Sequence, residues 1–174
     1  MNSNNFDKEK KRLITFFNKK KFLDVVQNGT KLLKHSPNNK QIIQILGITS
    51  IQMQNFIEAE KYFIKLLLIE KNADNYYTLG NTQKKLNKFK EAAISFENAL
   101  KIKPKFSEAH NNLGNVKKSL NKKDEAIYHY KKAINFKNDN IAALINLSTI
   151  LKENNSYEKL IEIYEKILNL DPKN

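Results

Sequence analysis

The feature that most constrains the fold is a short pattern that occurs twice at a fixed interval. The two copies match at four places: Leu79-Gly80 with Leu113-Gly114, Glu91-Ala92 with Glu125-Ala126, Phe96 with Tyr130, and Ala99 with Ala133. All four pairs have the same separation, and a fixed period of roughly 20–50 residues is typical of small supersecondary units that stack on one another. Within each copy the apolar and small residues recur every three to four positions, which predicts two helices. The sequence therefore predicts an all-α fold.

The glycine of this pattern indicates how the two helices of one copy pack. A glycine inside a helix costs about 1 kcal/mol relative to alanine, so a recurrent glycine needs a reason in the packing. We predict that Gly80 and Ala92 lie where the two helix backbones cross closely, and that Phe96 fills the volume beside this crossing. Gly114 is expected to have the same role in the next copy.

This order of small residue, alanine, aromatic residue and alanine resembles the tetratricopeptide repeat, a helix–turn–helix unit. The pattern continues to Leu147-Ser148 downstream and to Leu46-Gly47 upstream, where one residue is missing near Lys71-Asn72. The resemblance implies an α-solenoid of about five repeats that forms a right-handed superhelix in a single domain, 1–174. The predicted repeats are 6–39, 40–72, 73–106, 107–140 and 141–174.

The predicted turns agree with this assignment. Asn87, Asn121 and Asn155 recur with the same period, just after the predicted first helix of three successive repeats. Asparagine tolerates the left-handed conformation that ends many helices. A second set of residues falls where the second helix must already have ended: Pro37, Pro104 and Pro172.

Composition excludes several classes of protein. The chain contains no cysteine, which excludes disulfides and thiolate metal sites. It has no run of about 18 apolar residues and no apolar segment of signal-peptide type near Met1, so we predict a cytoplasmic protein without a membrane span. The histidines His35, His110 and His129 show no metal-binding spacing, and we interpret them as packing or surface residues. No cofactor, metal or catalytic residue is predicted.

The net charge of +13 leaves two interpretations open. A basic protein is suited to an anionic partner, either an acidic protein or a polyanion. Alternatively, the abundance of lysine and asparagine reflects an AT-rich coding sequence. Arg12 is the only arginine, and because arginine is the preferred side chain for phosphates and bases, nucleic acid is the less favoured partner.

The resemblance also implies a binding site, since the first helices of successive tetratricopeptide repeats line a concave groove that holds peptides. Candidate residues face away from the packed side of these helices: Tyr77, Thr78, Asn81, Lys84, Asn111, Asn112, Asn115, Lys118, Asn146, Thr149 and Lys152. Asn112 with Asn146, and Asn81 with Asn115, form predicted amide ladders. Segment 111–116 is similar to the superhelical repeats of the O-linked N-acetylglucosamine transferase, in which an asparagine ladder holds peptide.

The sequence thus predicts a non-enzymatic scaffold that binds an extended peptide or protein segment. Two alternatives remain open. The chain is the substrate-recruiting arm of a larger enzyme such as a glycosyltransferase, or its lysine-rich rim binds a polyanion or RNA. The last predicted helix, with Leu160, Ile161 and Leu168, is apolar on more than one side, which also leaves self-association through this helix open.

Overall fold

A computed structural model describes residues 3–170, and Pro172 lies outside this range. The described chain contains ten helices and no strand. The helices are α1 (Ser3–Asn18), α2 (Phe22–His35), α3 (Lys40–Gln52), α4 (Phe56–Ile69), α5 (Ala73–Lys85), α6 (Phe89–Ile102), α7 (Ser107–Ser119), α8 (Lys123–Phe136), α9 (Ile141–Glu153) and α10 (Tyr157–Leu170). The fold is thus an all-α helical repeat of the solenoid class, as the periodicity predicts.

The chain divides into two compact units, Met1–Asn87 and Lys88–Asn174. In the first unit, α1 to α5 pack in sequential pairs, and in the second unit α6 to α10 do the same. This order of packing is expected for a repeat protein, in which each element contacts its neighbours along the chain. The five repeat boundaries proposed above stay a prediction.

The core of the first unit consists of aliphatic residues from the sides of the helices that face each other. One cluster joins α1, α2 and α3 through Leu13, Val25 and Leu46, which are fully buried. A second cluster joins α3, α4 and α5 around Phe63. The second helix of one pair therefore packs on the first helix of the next pair, and the partly buried Leu33 and Tyr62 contact both clusters.

In the second unit, the core is built around an aromatic residue that lies against a glycine. Tyr130 of α8 is fully buried and shares a cluster with Leu147 and Leu151 of α9. A Cβ atom placed on Gly114 would lie 2.5 Å from Cε1 of the Tyr130 ring. The glycine therefore has a reason in the packing, because the Tyr130 ring occupies the space that a larger side chain would need. The predicted close crossing of two helix backbones stays a prediction.

The turns inside the helix pairs adopt the left-handed conformation that the asparagines predict. Asn87, Asn121 and Asn155 have φ angles of 57°, 59° and 54°. Lys20 and Gln54 occupy the matching turns with φ angles of 55° and 57°, which the sequence did not indicate. Left-handed backbone is unfavourable for most side chains, so these two residues are held there by the adjoining helices.

The missing residue falls in the connection between α4 and α5, as predicted. This connection has three residues, 70–72, whereas those at 36–39, 103–106 and 137–140 each have four. Asn72 still begins α5, because its side-chain oxygen accepts a hydrogen bond from the Asn75 N–H at 2.8 Å. The deletion therefore shortens the connection and leaves the helix start intact.

Candidate functional site on the first helices

An amide pair joins α7 and α9, the first helices of their pairs in the second unit. Nδ2 of Asn146 donates a hydrogen bond to Oδ1 of Asn111 at 2.9 Å, and both side chains are half-buried. The sequence predicted that Asn146 would align with Asn112, but the partner is one residue earlier. A side-chain amide has two N–H donors and an oxygen with two lone pairs, so this single bond leaves both amides with further hydrogen-bonding capacity.

Asn115, another predicted ladder residue, supports the core. Its Oδ1 accepts a hydrogen bond from the Tyr130 hydroxyl at 2.8 Å. Burial raises the pKa of Tyr130 to about 12, so the phenol keeps its proton and remains a donor at neutral pH. Asn115 therefore fixes the ring that packs against Gly114.

The predicted row of lysines contains side chains in different environments. Lys118 of α7 forms an ion pair with Glu153 of α9 at 3.1 Å, and Lys123 approaches the same carboxylate at 2.9 Å. Hydrogen bonds from Lys123 and then Lys118 lower the pKa of Glu153. Lys152 of α9 is exposed, and the structure of residues 3–170 shows no ion pair for it. Lys152 is thus available to an acidic group of a partner.

The remaining candidates of the second unit are partly or fully accessible. Asn112 is half-exposed on α7, and Thr149 is exposed on α9. The Thr149 hydroxyl donates to the Ile145 carbonyl of its own helix at 2.9 Å. This bond leaves the lone pairs of the hydroxyl oxygen to accept a hydrogen bond from a ligand.

The candidates of the first unit lie on α5. Tyr77, Thr78, Asn81 and Lys84 are all partly exposed. The Thr78 hydroxyl donates to a carbonyl within its own helix at 2.8 Å. Asn81 and Lys84 line a cavity of about 170 Å³ together with Ile51, Phe56, Thr82 and Lys85. Burial, followed by the charge of Lys85, lowers the pKa of Lys84.

A histidine pair is the feature that the sequence interpretation missed. That interpretation treated His110 and His129 as separate residues, yet both fall within 107–140, and their Nδ1 atoms lie 3.0 Å apart. Nε2 of His110 lies 3.1 Å from the Pro104 carbonyl, which can only accept, so this nitrogen must carry hydrogen. When His110 is neutral, its Nδ1 is therefore the acceptor and His129 is the donor. The separation of the two histidines along the chain does not indicate such a contact.

The surroundings of this pair disfavour its protonation. Burial, followed by the charges of His110 and Lys117, lowers the pKa of His129 to about 4. Burial also lowers the pKa of His110. Within residues 3–170, no three histidine, cysteine, aspartate or glutamate side chains are grouped as they would be to hold a metal ion. The pair therefore acts as a neutral hydrogen bond between α7 and α8.

The sequence matches known protein families over more than half of its length. Models of the tetratricopeptide repeat match residues 73–106, 107–140 and 141–174. The chain therefore belongs to the tetratricopeptide-repeat family. None of the curated proteins compared with it matches significantly. In the part of the chain that the structure describes, no helix is both long and apolar enough to span a membrane.

Solved structures of the same fold extend the comparison. MamA is 23% identical, with a TM-score of 0.87 over 91% of this chain and 94% of that chain. YrrB, described as a tetratricopeptide-repeat protein with an unusual peptide-binding site, is 19% identical, with a TM-score of 0.80 over 92% of this chain and 84% of that one. A tetratricopeptide-repeat protein from Parabacteroides merdae ATCC 43184 is 15% identical, with a TM-score of 0.88 over 99% of this chain and 69% of its own length. At these identities the likeness shows the fold.

Proposed function

We propose that this chain is a non-enzymatic scaffold that binds an extended segment of a partner protein. In the second unit the proposed site runs across α7 and α9 and contains Asn111, Asn112, Asn146, Thr149 and Lys152. The partly exposed face of α5 provides a corresponding surface in the first unit, with Tyr77, Thr78, Asn81 and Lys84. YrrB, which has the same fold, is described as having a peptide-binding site, and this supports a peptide as the ligand.

The observation that carries the proposal is the amide pair of Asn111 and Asn146, 2.9 Å apart on adjacent first helices. The pair fixes two amides side by side, so their side chains lose conformational entropy when the chain folds and lose less when the peptide binds. An extended peptide presents alternating N–H and C=O groups, and an amide side chain can pair with both. We therefore expect these residues to bind the peptide backbone with little dependence on its sequence.

Charge adds a second element of recognition. Lys152 is exposed beyond the amide pair on α9, whereas Lys118 is neutralised by Glu153. A carboxylate on the peptide would therefore be drawn to Lys152. We propose that the preferred peptides are extended and carry an acidic residue near one end.

A selection from a displayed library of short random peptides, with the purified chain as bait, tests the proposal. Peptides that bind are synthesised, and their affinities are measured by fluorescence anisotropy. We expect the Asn112→Ala/Asn146→Ala variant to bind them about tenfold or more weakly, because several backbone hydrogen bonds are lost. The matched control is Asn135→Ala, an exposed asparagine on α8, which should leave the affinity unchanged.

Methylation of the peptide backbone distinguishes backbone binding from recognition of side chains. N-methyl groups at alternate residues remove N–H donors and keep the side chains, so they should abolish binding. Equal affinities for the double variant and the original chain would reject the site. Among the described residues, nothing specifically favours the recruiting-arm or polyanion alternatives.

A further inference from the structure

A groove in the second unit lies between its last two helices and has a volume of about 650 Å³. Its walls include Ile145 and Lys152 of α9, and Tyr164, Ile167 and Leu168 of α10. Several of these apolar side chains are open to solvent: Ile145 is 44% exposed, Tyr164 is 44% exposed and Leu168 is 52% exposed. The surface therefore combines exposed apolar groups with one unpaired cation at its edge.

The equivalent surface one repeat earlier is covered by another helix of the chain. A shift by one repeat period relates Ile145 to Asn111, Lys152 to Lys118 and Tyr164 to Tyr130. In the earlier repeat, α9 covers these positions. Asn146 donates to Asn111, Glu153 pairs with Lys118, and Leu147 packs in one cluster with Tyr130.

The exposure of the two tyrosines shows what this covering helix contributes. Tyr130 is fully buried beneath α9, whereas Tyr164 is 44% exposed at the matching position. The occupant that fits the later groove is thus a helix placed on α9 and α10 as α9 is placed on α7 and α8. The apolar side of α9 is the template for its contacts.

We propose that this groove docks an amphipathic helix of a partner protein. At the position of Glu153 the helix carries a carboxylate that pairs with Lys152. At the position of Asn146 it carries an apolar side chain, because Ile145 stands where Asn111 offers an amide. This groove shares Thr149 and Lys152 with the peptide site of the proposed function but contains none of its amides, and Tyr164 and Leu168 of α10 belong to the groove alone.

The charge of the chain favours a different protein over a second copy. The net charge is +13, so two copies brought together at this groove would repel each other, and like charges across an interface are unfavourable. Within residues 3–170, α9 is also already packed on α7 and α8, so a second copy has no free helix of this kind to offer.

A synthetic helix with the sequence of α9, residues 141–153, serves as the probe. Isolated helices of this length are marginal in water, so the peptide is stapled between positions 142 and 149, which are exposed in the fold. Two fluorescent versions are compared by anisotropy, the native sequence and Asn146→Leu. We expect Asn146→Leu to bind several-fold more tightly, because it faces Ile145. If the peptide instead displaced α9 from its own place, the Asn146→Leu version would lack the hydrogen bond to Asn111, so the native sequence would bind more tightly.

Variants of the protein locate the binding. Leu168→Glu should weaken the peptide about tenfold or more, since it places a charge in the apolar groove. The matched control is Ile94→Glu, at an exposed isoleucine elsewhere in the second unit, which should have no effect. Circular dichroism is used to check that both variants remain folded. A Glu153→Lys peptide should bind weakly to the original protein, and its affinity should recover when the protein carries Lys152→Glu.

Three results would overturn the inference. Leu168→Glu could bind the peptide normally, the native peptide could bind more tightly than Asn146→Leu, or light scattering could reveal a dimer that Leu168→Glu dissociates. The last result would assign the groove to a second copy of the chain. The Asn112→Ala/Asn146→Ala variant, which weakens peptides selected for the amide site, should still bind the stapled helix, because neither asparagine lines the groove. Failure of one proposal is therefore distinguishable from failure of the other.

Discussion

At the scale of single residues, Gly114 occupies the tightest position among the three glycines whose surroundings are described. A Cβ atom there would lie 2.5 Å and 2.7 Å from two carbons of the Tyr130 ring. The ring cannot move aside easily, because it is fully buried and its hydroxyl is bonded to Asn115. We expect Gly114→Ala to destabilise the fold by about 1–3 kcal/mol, measured by chemical denaturation.

Gly47→Ala is the matched control for this prediction. Its Cβ atom would meet the Phe63 ring at 3.0 Å, so a small shift accommodates it. Alanine is favoured over glycine in a helix by about 1 kcal/mol, which offsets the closer contact. The Gly114→Ala/Tyr130→Leu double variant should recover part of the stability that Gly114→Ala loses, because the smaller leucine leaves room for the added methyl group. If Gly114→Ala proved no more harmful than Gly47→Ala, the assigned packing would be wrong.

Lys20 is the residue whose replacement should stabilise the chain. Its φ angle is 55°, and the equivalent position is asparagine in three other turns. Because left-handed backbone costs most residues about 1–2 kcal/mol and asparagine less, Lys20→Asn should raise the melting temperature by about 2–4 °C. Lys19→Asn is the control, since it removes a charge from the same turn and Lys19 is not among the residues with a positive φ. An equal rise of the melting temperature in both variants would indicate that the loss of charge repulsion causes the effect.

The histidine pair predicts a pH dependence of stability. His129 has a pKa of about 4 in the folded chain, against an ordinary value of 6.5. As the pH falls below 6.5, the unfolded chain binds protons that the folded chain does not, so the unfolded state gains stability. The melting temperature should therefore fall as the pH is lowered from 6.5 to 4.

Replacement of the pair tests this explanation. The His110→Phe/His129→Phe variant keeps two rings without titrating nitrogens, so most of the dependence above about pH 5, where carboxylates stay ionised in the folded and the unfolded chain, should disappear. His35→Gln, which removes an exposed histidine outside this pair, is the matched control. If the double variant showed the same slope of melting temperature against pH, the titrating groups would lie elsewhere.

At the scale of helices, Lys117 connects three elements of the second unit. It lies on α7 and is only 8% exposed, and its Nζ contacts Glu97 of α6 at 2.9 Å and Glu125 of α8 at 2.8 Å. Burial alone would lower the pKa of Lys117, but its hydrogen bonds to Glu125 and Glu97 outweigh this and raise it. The ammonium group is thus charged and depends on both carboxylates.

This arrangement predicts an unequal effect of the partners. Glu97→Gln/Glu125→Gln leaves a charged ammonium without anions, whereas Lys117→Met replaces it by an apolar chain of similar length. Removing the partners of a buried charge is more harmful than replacing the charge itself. The double glutamine variant should therefore melt at a lower temperature than Lys117→Met. The reverse order in differential scanning calorimetry would contradict this role.

The helices and their turns were largely predictable, since each follows from local chemistry repeated at a fixed spacing. Asparagine in the turn, a small residue at the crossing and a shortened 70–72 connection were all apparent from the chain. Lys20 and Gln54 were not, because neither favours the left-handed conformation by itself. Their turns are imposed by the packing of the flanking helices.

At the scale of the whole molecule, the large positive charge is unevenly compensated. Among the described residues, the lysines at the end of α7, in the following turn and at the start of α8 are paired with carboxylates: Lys117, Lys118, Lys122 and Lys123. Lys19, Lys20 and Lys21 of the first turn are exposed, and no ion pair is described for them. An anion would therefore meet more available charge at the first turn.

A gel shift with single-stranded RNA tests the importance of this charge. We expect weak retention at about 50 mM salt and its loss at about 200 mM, as for nonspecific phosphate contacts. The Lys19→Gln/Lys20→Gln/Lys21→Gln variant should reduce the low-salt retention more than Lys122→Gln/Lys123→Gln. Retention that persisted at the higher salt would indicate a specific nucleic-acid site and contradict this expectation.

The candidate site was less predictable than the fold, for a geometric reason. The repeat period aligns equivalent positions, but Asn146 bonds to Asn111, one position beyond a full period, because side chains of neighbouring helices meet diagonally. The contact of His110 with His129 likewise depends on how two helices of one repeat are rotated against each other. Pairings of this kind depend on side-chain direction, which periodicity alone does not define.

The three-residue connection at 70–72 has a practical consequence for chimeric proteins. A chimera whose modules are cut at equal intervals would displace α5 by one position relative to α4. Such a displacement rotates a helix by about 100° and would turn Leu79 away from its cluster with Phe63. Splice junctions in this chain therefore belong within the helix-pair turns, so that the short connection is transferred with both of its own helices.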